Sequence, residues 1–194
     1  MGGPHVTICP QDAIDCEYID YTIMGEGENS LLRLVQDTAN GTTPARRQIK
    51  ITPDTLVKNL DELPFPARHL IDLKIYPRAY KKFLSVYPAD TLISSRGCVY
   101  RCTYCSCRAI WSNRYRYRSA GNIVDEIELL IKRYGTRGIL FHDDTFTINE
   151  NRVFELCEEI RVRELDIKWF CSTRADLLNL SLLRAMKAAG CECI

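Results

Sequence analysis

No apolar run in this 194-residue chain approaches the roughly 20 residues needed to cross a bilayer. Neither sign of charge dominates: 26 Lys and Arg stand against 25 Asp and Glu. That balance gives no general electrostatic pull toward nucleic acid or anionic lipid. The opening stretch MGGPHVTICP has neither the basic n-region nor the apolar h-region of a secretory signal. These absences set the expectation of a cytoplasmic protein with no membrane and no nucleic-acid partner. Apolar residues make up 46% of the chain and charged residues 26%, the composition of an ordinary globular protein. The length suits one medium domain or parts of two.

Cysteine, by contrast, is plentiful. Ten cysteines in a compartment that keeps thiols reduced need a purpose other than disulfides. Six of them, Cys9, Cys16, Cys157, Cys171, Cys191 and Cys193, are scattered among apolar neighbours. A lone cysteine behaves as a small hydrophobe, so packing is their expected role. The other four, Cys98, Cys102, Cys105 and Cys107, crowd into the stretch SSRGCVYRCTYCSC at 94–107. The sequons at Asn40 and Asn179 have no glycosylation machinery to meet in the cytosol and are set aside.

From residue 91 onward a strand–helix rhythm appears. TLIS at 91–94 is a short β-prone run leading into the cysteine loop. NIVDEIELLIKRYG places Ile123, Ile127, Leu130, Ile131 and Tyr134 on one helical face. Ser119 or Asn122 can cap its start, Glu128 and Lys132 form an i,i+4 pair, and Gly135 suits the position after its end. GILFHDDTF at 138–146 reads as a buried strand running into acids. NRVFELCEEIRVREL follows as a helix with Val153, Leu156, Cys157 and Ile160 inward. A third strand is expected in IKWFCSTRAD at 167–176, a third helix in SLLRAMKAAG at 181–190, and the start of a fourth strand in CECI. This alternation predicts β-α-β units around a parallel sheet. Polar residues gather after each strand: the cysteine loop, Asp143 with Asp144, and Ser172 with Arg174. In parallel α/β folds active sites are assembled at that carboxyl edge. A sheet breaking off inside a strand is expected to continue beyond residue 194.

Earlier residues follow another pattern. YIDYTIM reads as a strand, GEGE as a turn and NSLLRLVQ as a short helix. GEGENS lacks the third glycine of a nucleotide loop, and its acids would repel a pyrophosphate, so it is read as structural. DTANGTTPARRQ at 37–48 reads as exposed loop. DELPFPARHL at 61–70 carries two prolines that exclude regular helix or central strand.

The clustered cysteines have the spacing C-x3-C-x2-C at 98, 102 and 105, with Cys107 one step further. Zinc sites pair two close ligands with two more a dozen or more residues away, and nothing supplies that distant pair. Ferredoxin-type clusters use four cysteines in other spacings. Three thiolates in one loop suit a cubane 4Fe–4S cluster with one iron left unprotected. Gly97 permits a tight exit from the strand, and Arg96 and Arg101 can offset the negative charge of such a cluster.

The loop, with aromatic Tyr104 before its last cysteine, resembles the signature of radical S-adenosylmethionine (SAM) enzymes. The resemblance runs from about residue 90 to the end and implies the first half of a partial (β/α)6 barrel. It implies that Cys98, Cys102 and Cys105 hold a 4Fe–4S cluster whose fourth iron chelates the amino and carboxylate groups of SAM. One electron, from a donor such as flavodoxin or ferredoxin, then cleaves SAM to methionine and a 5′-deoxyadenosyl radical that abstracts hydrogen from a small-molecule substrate. By the same resemblance Asp143 or Asp144 meets the SAM ammonium, in place of the commoner Gly-Gly-Glu. Ser172 and Arg174 reach its carboxylate or ribose, and the backbone near Tyr104 lies along the adenine. His142 is expected to line the barrel rather than bind metal, and Cys107 to be a bystander.

The N-terminal part resembles the end of the Rossmann-like cobalamin-binding domain that precedes the radical SAM core in one large subgroup. GGPH, DYTIMGEGE and DELPFPAR at 2–5, 20–28 and 61–68 occur in that family's order. This implies a cobalamin-domain remnant at 1–37, a linker at 38–90 and the core at 91–194. Gly2 and Gly3 then lie by the cobalamin nucleotide tail of the intact protein. The subgroup includes methyltransferases and ring-forming enzymes such as the anaerobic magnesium-protoporphyrin ester cyclase. Two rival readings stand beside this one. A radical methylthiotransferase acting on RNA would want a second cluster and a basic surface. An electron-transfer or zinc module would use Cys107 as fourth ligand.

Overall fold

The computed structural model describes residues 1–42, 48–49, 56–72, 83–111 and 114–194. Parts of the expected loop at 37–48 and linker at 38–90 lie outside these described residues. The chain divides into two compact units, Met1–Lys58 with Val99–Arg114, and Asn59–Cys98 with Tyr115–Ile194.

In the first unit two short helices, α1 (Pro4–Ile8) and α2 (Pro10–Ile14), precede strand β1 (Thr22–Ile23). Each helix starts on a proline, where the missing N–H costs nothing. The strand expected over YIDYTIM is thus only two residues long. It pairs in parallel with β2 (Gln48–Ile49), and Gly2 bridges Ile23 beside it. Helix α3 (Glu28–Ala39) covers the expected NSLLRLVQ and runs into the stretch read as loop. Helix α4 (Cys107–Trp111) follows the cysteine loop and packs on α1. Val6, Ala13, Ile23 and Cys107 are buried apolar residues of α1, α2, β1 and α4.

The second unit carries the sheet. Strand β3 (Ala89–Leu92) leads into an antiparallel ribbon of β4 (Ser95–Arg96) with β5 (Arg116–Tyr117), which the sequence pattern does not reveal. Then come α5 (Ala120–Tyr134), β6 (Gly138–Phe141), α6 (Glu150–Val162), β7 (Lys168–Phe170), α7 (Leu180–Ala188) and β8 (Cys191–Cys193). The strands form one parallel sheet in the order β3-β6-β7-β8, as the strand–helix alternation predicts. Ile123, Ile127 and Leu130 of α5 and the four expected residues of α6 are buried against Leu92, Ile139, Phe141 and Trp169, with Ile131 and Tyr134 partly buried at the margin. Side chains cap all three helices. Ser119 Oγ accepts from Asn122 N at 3.2 Å, Asn149 Oδ1 from Arg152 N at 3.2 Å, and Asn179 Oδ1 from Leu182 N at 2.9 Å. Each such cap satisfies a backbone donor that the first helical turn leaves orphaned. Asn179, set aside as a sequon, is therefore a helix cap. The expected Glu128–Lys132 pair forms at 2.9 Å, and Gly135 closes α5 in the left-handed conformation.

Residues 59–72 pack on this same unit. Asp61 Oδ1 accepts from Ser119 N at 2.9 Å, and the Arg118 guanidinium lies over the Phe65 ring, 5.4 Å from its centroid. Glu126, 1% exposed, sits between Arg68 at 2.6 Å and Arg118 at 2.5 Å. Arg68 also donates to Thr91 O at 2.9 Å, occupying a carbonyl of the outer strand β3, where an open edge invites wrong pairing. The two prolines here leave only the short turns at Leu60–Glu62 and Arg68–Leu70. On the sheet face away from the helices, Ser85 N and Oγ donate to Glu192 at 2.8 and 2.6 Å, and Phe83 stacks on Phe170 at 4.8 Å.

Between α7 and β8 the chain turns at Gly190, with φ +95°, and a Cβ there would sit 2.2 Å from Ile167 O. Both the left-handed backbone and the clash oppose any side chain. Gly190→Ala should therefore destabilise the protein by roughly 2–4 kcal/mol, read as a lower urea midpoint with unchanged slope.

Candidate functional site at the carboxyl edge of the sheet

The strand expected over 138–146 stops at Phe141, and of the two acids that follow only Asp143 is taken up by side-chain bonds. Asp143 is 5% exposed. Its carboxylate accepts from Ser94 N at 2.7 Å, Ser94 Oγ at 2.5 Å and Ser95 Oγ at 2.6 Å. Arg152, 1% exposed, lies 3.7 Å from it. The Arg152 guanidinium also donates to Ser94 Oγ at 2.8 Å and to Phe146 O at 2.9 Å, and lies over the Phe146 and Tyr117 rings. A buried carboxylate is tolerable only when its lone pairs and charge are answered in this way. The network fixes Ser94 and Ser95, the chain that leads through Gly97 (φ +87°) to Cys98. Buried Cys98 reaches the Thr145 hydroxyl, Sγ to Oγ1 3.4 Å.

Asp144 and His142 are both exposed. His142 also lines a cavity of about 1230 Å³ beside β3. The ends of β6 and β7 are stitched together: Phe146 N donates to Ser172 O at 3.0 Å, and the Thr147 and Thr173 hydroxyls meet at 2.5 Å. Asp144 thus shares one edge with exposed Ser172 and with Arg174, whose guanidinium pairs with Asp176 at 2.8 Å.

In the first unit, Cys105 N donates to Cys102 O at 3.1 Å, and Cys107 N donates to Cys105 Sγ at 3.5 Å. Cys105 is exposed, Cys102 intermediate and Cys107 buried at the start of α4. Tyr104 is 91% exposed. Gly2 pairs with Ile23, and Gly3 O accepts from Thr7 Oγ1 at 2.8 Å. None of the ten cysteines is in a disulfide. Among the described residues no three metal-ligating side chains are already drawn together as a cage.

Of the six scattered cysteines, Cys157, Cys171 and Cys191 are buried in the core as packing residues, while Cys16 and Cys193 are half-buried. Cys9 departs from the packing expectation: it is exposed at the break between α1 and α2. Burial pushes the Cys157 thiol up to about 12. Cys171 is pushed up by its hydrogen bond with Cys191 and then by burial. Such thiols stay protonated and inert near neutral pH.

The residues that sequence reasoning missed are Ser94, Ser95, Thr145 and Arg152. Arg152 left a trace, since with Leu156 and Ile160 it forms an i, i+4, i+8 row. A charged residue on an inward stripe signals a buried partner.

A parallel α/β sheet with a cysteine loop leaving its first strand defines the class of protein. Residues 92–194 match the radical SAM superfamily, and the chain belongs to that superfamily. It is 32% identical over 205 residues to an uncharacterized methyltransferase of Pyrococcus horikoshii, covering 100% of this chain and 43% of that protein. It is 32% identical over 208 residues to the anaerobic magnesium-protoporphyrin IX monomethyl ester cyclase of Cereibacter sphaeroides, covering 98% of this chain and 33% of the cyclase. Among solved structures, the radical SAM methyltransferase TsrM from Kitasatospora setae, with tryptophan and a SAM analogue bound, superposes with a TM-score of 0.74 at 18% identity. That match covers 98% of this chain and 39% of TsrM. The chain spans less than half the length of these relatives. No helix among the described residues is long and apolar enough to cross a membrane.

Two outcomes follow from the site. Asp143→Ala leaves the Arg152 guanidinium buried without its counter-charge and should cost about 3–5 kcal/mol in urea unfolding. Iodoacetamide at pH 8 should label Cys9 and Cys105 of the native protein within minutes, while Cys157 and Cys171 react only after denaturation, as peptide mapping by mass spectrometry will read.

Proposed function

We propose that this protein is the cluster-bearing part of a cobalamin-type radical SAM enzyme that acts on a small molecule. The observation that carries the reading is the C-x3-C-x2-C loop leaving the first strand of a parallel sheet, in a chain that matches this superfamily from residue 92 on. The donor chemistry fits: three thiols, none in a disulfide, are the ligand type that iron–sulfur clusters take. Cys98, Cys102 and Cys105 would hold a 4Fe–4S cluster, which when bound supplies the single electron for reductive cleavage of SAM. Cys107, buried at a helix start, packs rather than ligates.

The chain's own residues then divide the work of seating SAM. Asp143 is already occupied by two serines and an arginine, so it is a positioning residue. The exposed carboxylate of Asp144 accepts from the SAM ammonium, a charge-assisted bond. Ser172 and Arg174, on the same edge, serve its carboxylate or ribose, and the backbone at Tyr104 lies along the adenine. In the longer protein, Gly2 and Gly3 would admit the cobalamin tail. Cobalamin is bound in a solved structure of TsrM, and the curated relatives comprise methyltransferases and ring-closing enzymes. Methyl transfer and oxidative cyclisation are accordingly the reactions of this reading. A reducing compartment, the cytoplasm, and a low-potential donor such as ferredoxin or flavodoxin complete it.

The anaerobically reconstituted, dithionite-reduced protein should change its EPR signal on adding SAM and release 5′-deoxyadenosine. Asp144→Asn should keep cluster and melting temperature but lose that change. Cys107→Ala should keep both cluster and response; loss of the cluster in that variant would favour a four-thiolate electron carrier. A wild-type protein that binds one zinc and no iron, or whose iron–sulfur signal ignores SAM, overturns the proposal.

A further inference from the structure

Thr145 is a buried threonine whose hydroxyl has two neighbours. Its Oγ1 donates to Asp144 O at 2.7 Å and lies 3.4 Å from Cys98 Sγ. While Cys98 carries its proton, the contact satisfies both partners: the thiol donates and the hydroxyl oxygen accepts. A sulfur that ligates iron has no proton to give and can only accept, so an oxygen lone pair aimed at it is repelled. The hydroxyl has a single proton and one free rotation, so turning it from Asp144 O to Sγ removes the repulsion and creates a bond to a charged acceptor. Such bonds are about twice as strong as neutral ones.

We propose that Thr145 is a positioning residue that donates a hydrogen bond to the Cys98 sulfur when that sulfur ligates iron, and so makes the cluster easier to reduce. The inference rests on the assignment of Cys98 as a cluster ligand. The bond stabilises the more negative, reduced cluster more than the oxidised one, which is how hydrogen bonds to sulfur raise a cluster's potential. Its place in the chain adds a consequence. Thr145 directly follows Asp144, so in turning to the sulfur the hydroxyl gives up its bond to the carbonyl of the residue that meets the SAM ammonium.

The test is a redox titration of the reconstituted protein, followed by EPR, in wild type, Thr145→Val and Thr145→Ser. Valine keeps the shape and removes the hydroxyl; serine keeps the donor. Thr145→Val should shift the reduction equilibrium about tenfold toward the oxidised cluster, about 59 mV for one electron, and Thr145→Ser should restore the wild-type value. A purely structural role would lower the melting temperature without moving the potential. Should valine not fold, Thr145→Ala compared with Thr145→Ser reads the same difference. In the wild type, the Fe–S(Cys) stretching bands should shift on exchange into D2O, and that shift should shrink in the variant lacking the hydroxyl. A SAM-responsive cluster whose potential is the same in Thr145→Val as in wild type overturns this inference alone. A wild type that assembles no iron–sulfur centre overturns it together with the reading beneath it.

Discussion

The structure at the carboxyl edge depends on one constraint: a carboxylate removed from water must have both oxygens hydrogen-bonded and its charge answered. Asp143 meets that demand with Ser94, Ser95 and Arg152, and these partners come from two separate parts of the unit. The serines belong to the chain between the first strand and Cys98, and Arg152 belongs to the first turn of the following crossover helix. One buried charge thus ties the root of the cysteine loop to the second strand and to the helix behind it. Asn149, capping that helix, holds the turn from which Arg152 reaches inward.

With Asp143 consumed, the residues around it fall into distinct tasks. His142 and Asp144 face solvent while Asp143 and Thr145 face inward, an alternation that persists for a few residues after the strand itself has ended. A single run of chain therefore presents a polar surface, anchors the loop and touches the Cys98 sulfur. The hydrogen bonds from Phe146 to Ser172 O and between Thr147 and Thr173 carry the arrangement to the next strand, so Asp144, Ser172 and Arg174 occupy one continuous edge.

Much of this was legible in the sequence, because periodicity and caps are local signals. The inward residues of α5 and α6 stand out at helical spacing, and Ser119 and Gly135 bracket α5 as residue type alone implies. The parallel sheet followed from the alternation of elements. What stayed hidden depends on distant partners. Ser94, Ser95 and Asp143 lie about fifty positions apart, and no local pattern says that they meet. The β4–β5 ribbon pairs residues on either side of the cysteine loop, and its two-residue strands are too short to show a period. Likewise Arg68 and Glu126 read as surface charges until the chain folds them together. Asp143 and Asp144 look equivalent in the sequence, and burial alone tells them apart.

The account turns on three thiolates leaving one iron open to SAM. Iron-57 Mössbauer spectroscopy of the anaerobically reconstituted protein, recorded before and after adding SAM, tests that claim most directly. The account predicts that a single iron site changes its isomer shift while the others stay as they were. A spectrum in which every iron site is unchanged by SAM would contradict it.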